Sequence, residues 1–252
     1  LAMNIISLNT WGGRAGKEGL LDFFKKHQDT DVFCLQEIWS APYEHLEGAS
    51  MGGLKTSNND VMVYGRQEIE AALPEHISFF RPHHLENYGL MMLVKKGSHI
   101  EEEGEVFVYK EKGHIPEGDV GFHARNVQYV TLSTPLGKRT IMNFHGLWNG
   151  AGKGDNEDRL RQSEKILDFV KRFDHPFALC GDFNLAPDTR SIALLEEGGL
   201  KNLIRDYSIT STRTSFYKKE GKFADYAFVS SGVEVLDFKV LPDEVSDHAP
   251  LY

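Results

Sequence analysis

Two cysteines among 252 residues, Cys34 and Cys180, leave no material for a disulfide framework. Each sits inside an apolar run that reads as a buried strand, so both are expected as free, buried thiols. No apolar stretch reaches the length of a membrane span, and no secretory signal opens the chain; Leu1-Ala2 ahead of Met3 reads as an appendage. The expectation is a protein of the cytoplasm without integral membrane association, a secreted form staying open if a signal was removed. No long basic run is present, and the formal net charge is −9. That argues against affinity for nucleic acid through a broad positive surface. It leaves room for an enzyme that meets phosphate through a metal ion and a few local cations. C-x-x-C, H-E-x-x-H, G-x-x-x-x-G-K-[ST] and G-x-S-x-G are all missing, which takes away the zinc, P-loop and nucleophile-elbow readings. Linkers, short repeats and low-complexity tracts are missing too, so residues 1–252 read as a single domain.

What is present centres on Leu179-Cys180-Gly181-Asp182-Phe183-Asn184. The apolar run 176–180 reads as a buried strand that stops at a glycine, followed by a carboxylate, an aromatic and a carboxamide. Asp182 and Asn184 are two residues apart, so on extended backbone they point the same way. They do so at the carboxyl end of a strand, where sheet-based enzymes build their sites. Alone the pattern is equally that of a turn, because Asp and Asn cap loops. The rest of the chain is strand-rich. Strands are expected over 3–8, 32–37, 77–82, 90–94, 105–109, 126–132 and 140–144, with 224–230 and 233–240 joined as a hairpin by Ser231-Gly232. Helices are expected over 17–27, 60–73, 155–173 with Asp155 or Asn156 as cap, and 189–197 with Gly198-Gly199 as the stop. Residues 48–59 and 110–123 read as loops. Many strands with few helices predict a layered α/β sandwich, two packed sheets with helices outside.

Polar residues recur at the strand ends: Asn9, Glu37, Asn143 and His145, Asp182 and Asn184, Asp225, and Asp247-His248. Each alone has a dull explanation as a turn, cap or core group. Together their oxygens are hard ligands suited to Mg2+ or Mn2+. Carboxylates, a divalent ion and two histidines suit attack of water on a phosphate.

The ordered set is Leu8-Asn9-Thr10-Trp11, Gln36-Glu37, Asn143-Phe144-His145, Gly181-Asp182-Phe183-Asn184, Asp225-Tyr226 and Ser246-Asp247-His248. It resembles the endonuclease/exonuclease/phosphatase superfamily, the DNase I-like metal-dependent phosphoesterases, from the first strand to the last residues. The resemblance implies a four-layer α/β/β/α sandwich: two mainly antiparallel sheets packed face to face, helices outside, the site at one end. It implies Mg2+, or Mn2+ in its place, with Glu37 as principal ligand and Asn9 and Asp247 completing or supporting the site. By the same resemblance Asp182 positions and activates the attacking water, and Asn184 holds Asp182 and the phosphate. His248 binds the scissile phosphate, with Asp225 fixing its tautomer. His145 is the second histidine, on the phosphate or the leaving group. Members of the family divide these roles differently among Asp182, His145 and His248. Arg125 resembles a phosphate-facing arginine of several members and is as readily a surface arginine. Trp148 and Asn149 are candidates for the rim of the site. Arg159 and Gln162 resemble a family pattern but read better as a structural or solvated helix pair. His83-His84 is discounted as a metal pair, because neighbouring strand residues face opposite ways.

The fold does not choose the substrate. His145 makes the site resemble the DNase I, sphingomyelinase and deadenylase branches more than the abasic-site endonucleases. Leu-Asn-Thr-Trp-Gly resembles the sphingomyelinase opening, yet no apolar hairpin suited to a membrane follows. The reading is a Mg2+-dependent phosphodiesterase, nuclease-like or acting on a small phosphodiester. The alternatives are a phosphomonoesterase, a sphingomyelinase-like phospholipid hydrolase, and a non-enzymatic binding module on the same fold. The expected partner is the phosphate-ester substrate, a nucleic acid or a small phosphodiester, and the expected state is a monomer.

Overall fold

The computed structural model of the protein describes residues 2–252; Leu1, and with it the reading of the first residues as an appendage, lies outside it. The first half runs β1 (Ile5–Asn9), α1 (Lys17–Lys26), β2 (Val32–Trp39), β3 (Ala49–Met51), β4 (Leu54–Thr56), α2 (Gly65–Ala72), β5 (His76–Pro82) and β6 (Tyr88–Lys95). The second runs β7 (His99–Tyr109), β8 (Arg125–Thr134), β9 (Gly137–His145), α3 (Glu157–Val170), β10 (Phe177–Asp182), α4 (Arg190–Glu197), β11 (Lys201–Asn202), α5 (Leu203–Asp206) and β12 (Asp225–Val229).

Strand alternation makes the layers. In β2, Phe33 and Leu35 face one way and pack against Leu20, Phe23 and Phe24 of α1 and Ile69 of α2. Val32 and Cys34 face the other way, with Met92 and Val94 of β6, and meet Val130, Leu132, Ile141 and Cys180 of the opposite sheet. Met142, Phe144 and Leu179 point away from that seam and pack under Ile166 and Val170 of α3 and Ile192 and Leu195 of α4. Each fully buried aliphatic of these layers contributes about 1.5–3 kcal/mol. The result is helices, four-stranded sheet, six-stranded sheet, helices. The strand orders are β1-β2-β6-β5 and β11-β12-β10-β9-β8-β7, each mixed but mainly antiparallel. This is the sandwich that the resemblance implied. Both cysteines are free and buried, and burial together with the neighbouring Cys180 pushes the Cys34 thiol well up.

A polar brace crosses the apolar seam. Asn143 Oδ1 accepts from Gln36 Nε2 at 2.7 Å, and Asn143 Nδ2 donates to Leu35 O at 2.9 Å and to Gln128 Oε1 at 3.2 Å. Two of the motif positions, Gln36 and Asn143, therefore tie the sheets together. The seam also closes at the chain ends, where Ser7 and Leu251 exchange two backbone hydrogen bonds of 2.9 Å.

Three local expectations change. The hairpin at Ser231-Gly232 does not form: β12 pairs with β10 on one edge and β11 on the other, so no edge is left for residues 233–240. That segment instead meets the C-terminal tail, Val240 bridging Leu251. Part of the 48–59 stretch folds into the hairpin β3–β4. Asn156, not Asp155, caps α3 by accepting from Arg159 N at 2.8 Å; Asp155 accepts from Arg190 N and Ser191 N at the start of α4. Among the described residues no helix is long and apolar enough to cross a membrane.

Candidate active site

The register of the large sheet sets His145, Asp182 and Asp225 abreast at the ends of β9, β10 and β12. Gly181 makes that possible. Its φ is +148°, and a β-carbon there would collide with the Phe144 carbonyl oxygen, so only glycine lets β10 lie against β9 one residue before Asp182. Asn184 has φ +54°, a left-handed conformation that Asn tolerates. Its N–H donates to Asp182 Oδ1 at 2.9 Å and its Nδ2 to Gly146 O at 3.1 Å.

The small sheet contributes Asn9 and Glu37. Between Leu35 and Ile38 the β2–β6 register shifts, and Glu37 at this bulge has φ +59°. The strained bulge turns the carboxylate out of the sheet toward the strand ends. Asn9 Nδ2 bridges the two sheets, donating to Glu37 Oε1 at 3.0 Å and to Asp182 Oδ2 at 2.9 Å. The C-terminal tail supplies the rest. Ser246 Oγ donates to Asn9 O at 2.6 Å and accepts from His248 N at 3.2 Å, which seats Asp247 and His248 beside the sheets.

His248 Nδ1 lies 2.9 Å from both oxygens of Asp225, so Nδ1 carries the proton and Nε2 keeps its lone pair. That nitrogen is 3.5 Å from Asp182 Oδ2 and accepts from Arg213 Nη1 at 2.7 Å. Burial and Arg213 oppose protonation of His248, but Asp225, Asp247 and Asp182 outweigh them and raise its pKa above 6.5. A proton and the Arg213 guanidinium thus compete for Nε2. Burial works against ionisation of Asp182, yet His248, His145, Lys153 and Arg213 hold its carboxyl well below the usual carboxylate range. His145 Nε2 is 3.5 Å from Asp182 Oδ2. Burial, reinforced by Arg125, pushes its pKa down to about 3, so the ring is neutral.

The residue set fits a divalent cation. Asp247 Oδ1 is buried without a hydrogen-bond partner. Burial pushes the Glu37 carboxyl up, and the nearby Asp247 and Asp182 push it further, the mark of carboxylates gathered without enough positive charge between them. Among the described residues one tighter group of potential ligand atoms exists, Asp182, Asp225 and His248, within 4.8 Å of one another. In that group His248 and Asp225 already satisfy each other and both Asp182 oxygens accept from Asn9 and Asn184, which leaves Glu37 and the unpartnered Oδ1 of Asp247 as the more open oxygens.

The site opens into a cleft of about 850 Å3 that Arg125, Trp148, Lys153 and Arg213 help to line. Arg125 is wholly buried on its floor, donating Nη2 to Gly121 O while Nε and Nη1 have no partner. It is no surface arginine, and burial pushes its pKa down to about 10. Trp148 stacks on Phe122 with ring centroids 5.3 Å apart and forms part of the wall. Asn149 turns away to accept from Ala151 N at 3.0 Å. Arg159 and Gln162 are buried and structural, without pairing with each other: Arg159 donates to Leu147 O and Gly154 O, and Gln162 Oε1 accepts from Leu147 N. They shape the loop that carries Lys153. His83 and His84 do not face opposite ways, because the chain leaves β5 at Pro82. Both rings stack on His123, with centroids at 4.4 and 5.1 Å.

Lys153 and Arg213 escaped the sequence reading. Lys153 Nζ donates to Asn184 Oδ1 at 3.0 Å, and burial pushes its pKa down to about 8. Arg213 stacks on Tyr217 at 3.8 Å and reaches Asp247 Oδ2 at 3.4 Å as well as His248. Neither stands in a motif. The available signal was their position in glycine-rich or lysine-rich loops next to strand ends.

A model of the endonuclease/exonuclease/phosphatase family matches residues 6–248. No curated protein matches the chain. Among solved structures, the chain is similar to mannosyl-6-phosphatase Bt3783 of Bacteroides thetaiotaomicron VPI-5482, with 18% identity, 99% of this chain and 98% of that chain covered, and a TM-score of 0.71. It is similar to a functionally unknown conserved protein of Enterococcus faecalis V583, with 18% identity, 99% and 97% covered, and a TM-score of 0.71. It is similar also to a humanized D. rerio TDP2, with 16% identity, 99% and 96% covered, and a TM-score of 0.67. At these identities the likeness to solved structures carries the fold.

Proposed function

Because this chain belongs to the endonuclease/exonuclease/phosphatase family, we propose that it is a Mg2+-dependent hydrolase of phosphate esters, with Mn2+ as a substitute ion, that works at the strand-end cluster around Asp182. The observation that carries the reading is the unbroken contact chain Asp225–His248–Asp182–Asn9–Glu37, which joins both sheets and the C-terminal tail. Glu37 and Asp247, supported by Asn9, would hold the ion, which when bound neutralises phosphoryl oxygens and assists the departing oxygen.

The chain's own groups then divide the work. Asp182, ionised and held on both oxygens by Asn9 Nδ2 and Asn184 N, positions and activates the attacking water. Asp225 keeps the His248 proton on Nδ1, so Nε2 faces the reacting phosphate and receives positive charge there as protonation becomes favourable. Arg125, with two unpartnered donors on the cleft floor, binds phosphoryl oxygen. His145, neutral beside Asp182, meets the phosphate or the leaving oxygen. Diester and monoester chemistry both suit this arrangement, and the fold of a phosphatase such as Bt3783 is compatible with either.

The test is hydrolysis of p-nitrophenyl phosphate and bis-p-nitrophenyl phosphate with Mg2+, with EDTA, and in Asp182→Asn and His248→Ala. Cleavage of either ester that needs the metal and disappears in both variants supports the reading. Cleavage that survives EDTA and both substitutions refutes it. Mg2+ binding without cleavage of either ester favours the binding module.

A further inference from the structure

Two cations converge on the reacting position, Lys153 with no carboxylate partner and Arg213 with one long contact to Asp247. Lys153 Nζ has one partner, the neutral Asn184 Oδ1. Arg213 spends Nη1 on His248 Nε2 and a long 3.4 Å contact to Asp247, and its buried Nε has no partner. With the unpartnered Nε and Nη1 of Arg125, six N–H groups on three side chains that line the cleft have nothing in the protein to receive them: two on Lys153, one on the buried Nε of Arg213 and three on the buried Nε and Nη1 of Arg125. A buried donor without an acceptor is costly, and a charged one more so. The set is therefore matched to an anion rich in oxygens.

The mouth of the cleft adds a second constraint. Lys219 Nζ comes within 3.7 Å of where a β-carbon on Gly53 would sit, and the Trp148 indole within 3.8 Å of the same point. The segment after Arg213 thus reaches across to the β3–β4 turn on one side of the opening. Asp119 pins that turn, accepting from Gly52 N, Gly53 N and Ser50 Oγ, each at 2.9 Å. The approach of Lys219 narrows one side of the opening.

We propose that the site takes a terminal phosphate, the dianionic monoester of a small organic molecule, and that Lys153 and Arg213 select it over an internal diester. The inference rests on the phosphoesterase reading above and narrows it. A monoester presents three non-bridging oxygens and two charges, a diester two oxygens and one charge. Lys153 and Arg213 supply the donors and charge that only the monoester uses in full. On binding, the guanidinium of Arg213 turns from His248 Nε2 to a phosphoryl oxygen, which frees that nitrogen for the reaction. The organic part rests against Trp148, on the side of the opening where Lys219 approaches Gly53.

The experiment compares kcat/KM for p-nitrophenyl phosphate and bis-p-nitrophenyl phosphate in wild type, Lys153→Gln and Arg213→Gln. Binding of inorganic phosphate and of dimethyl phosphate to the Mg2+-loaded wild type is measured by calorimetry alongside. The expected result is a monoester preference, with each substitution costing about 100-fold on the monoester and about 10-fold on the diester. Phosphate should bind the wild type at least tenfold more tightly than dimethyl phosphate, a comparison that holds even if a variant fails to fold. Equal or better diester cleavage with equal losses in both variants overturns the selection of a terminal phosphate and leaves the phosphoesterase reading intact. No cleavage of either ester with selective phosphate binding removes the catalytic reading and keeps the anion site. No cleavage with equal binding of the two anions overturns both.

Discussion

Acid should unfold this protein from pH 6.5 downward, earlier than carboxylate protonation alone would bring. His83 and His123 are 0% and 1% exposed, and burial, reinforced by Arg125, holds both well below the ordinary 6.5. His145 is pushed to about 3 and the less buried His84 to about 4. In the unfolded chain these rings take up protons near pH 6.5; in the folded chain they stay neutral. Their contribution to stability is therefore complete above pH 6.5 and is lost as pH falls toward the folded values. Between pH 7 and pH 5 each fully buried histidine removes about 2 kcal/mol, or about 4 kcal/mol for His83 and His123 together. His27 and His76, also lowered by burial, add to this side, while His248 and Glu37, whose pKa values are raised, act in the opposite direction, two groups against six. The assay is urea unfolding at pH 7, 6 and 5, in wild type and in His83→Gln. The variant should lose less on acidification, by about 2 kcal/mol, whatever its stability at pH 7. Equal wild-type stability at pH 7 and pH 5, or the same pH dependence in the variant, would refute the account of a neutral buried histidine stack.

Four further outcomes are expected. Gly181→Ala should destabilise the fold by more than about 2 kcal/mol in chemical denaturation, since the new methyl group meets the Phe144 carbonyl at a φ that suits glycine. Mg2+ at a hundred times its dissociation constant should stabilise the wild type by about 2.7 kcal/mol and leave Glu37→Gln unmoved, read by thermal unfolding with and without EDTA. Asp225→Asn should lower kcat on the order of a thousandfold with a small change in KM, because the carboxamide no longer stabilises the imidazolium or enforces its tautomer. Arg159→Met should weaken turnover through loss of the Leu147 and Gly154 carbonyl contacts that shape the Lys153 loop, and a crystal structure of the variant should show that loop displaced.

Much of the architecture was legible because period-two alternation and short apolar runs leave few ways to bury Phe33 with Leu35 on one face and Val32 with Cys34 on the other. The strand-end polar groups were legible as a set, and the register brings His145, Asp182 and Asp225 abreast. Gln36 and Asn143 belong to the same ordered pattern but brace the core, a distinction that depends on which face of the strand each occupies. The Ser231-Gly232 hairpin failed because a turn signal says nothing about whether a strand edge is free, and β11 had taken it. Lys153 and Arg213 stand in no motif, and a place in a glycine-rich or lysine-rich loop does not single them out. Each reaches the site from a loop whose path is set by distant contacts, Lys153 through its own carbonyl accepting from Ala186 N and Arg213 through its bridge to His248.

The pairing of Ser7 with Leu251 and the hold of Ser246 on Asn9 have a kinetic consequence. Asp247 and His248 lie between these two fastenings, which join residues more than 230 positions apart in sequence. Closing so long a loop is among the slowest steps available to a chain of this size. Secondary structure and most of the core can be in place while the tail is still free. During refolding, catalytic competence should therefore return with the slowest phase, after circular dichroism and fluorescence have recovered, and a late-folding species should be native-like in spectrum and silent in activity.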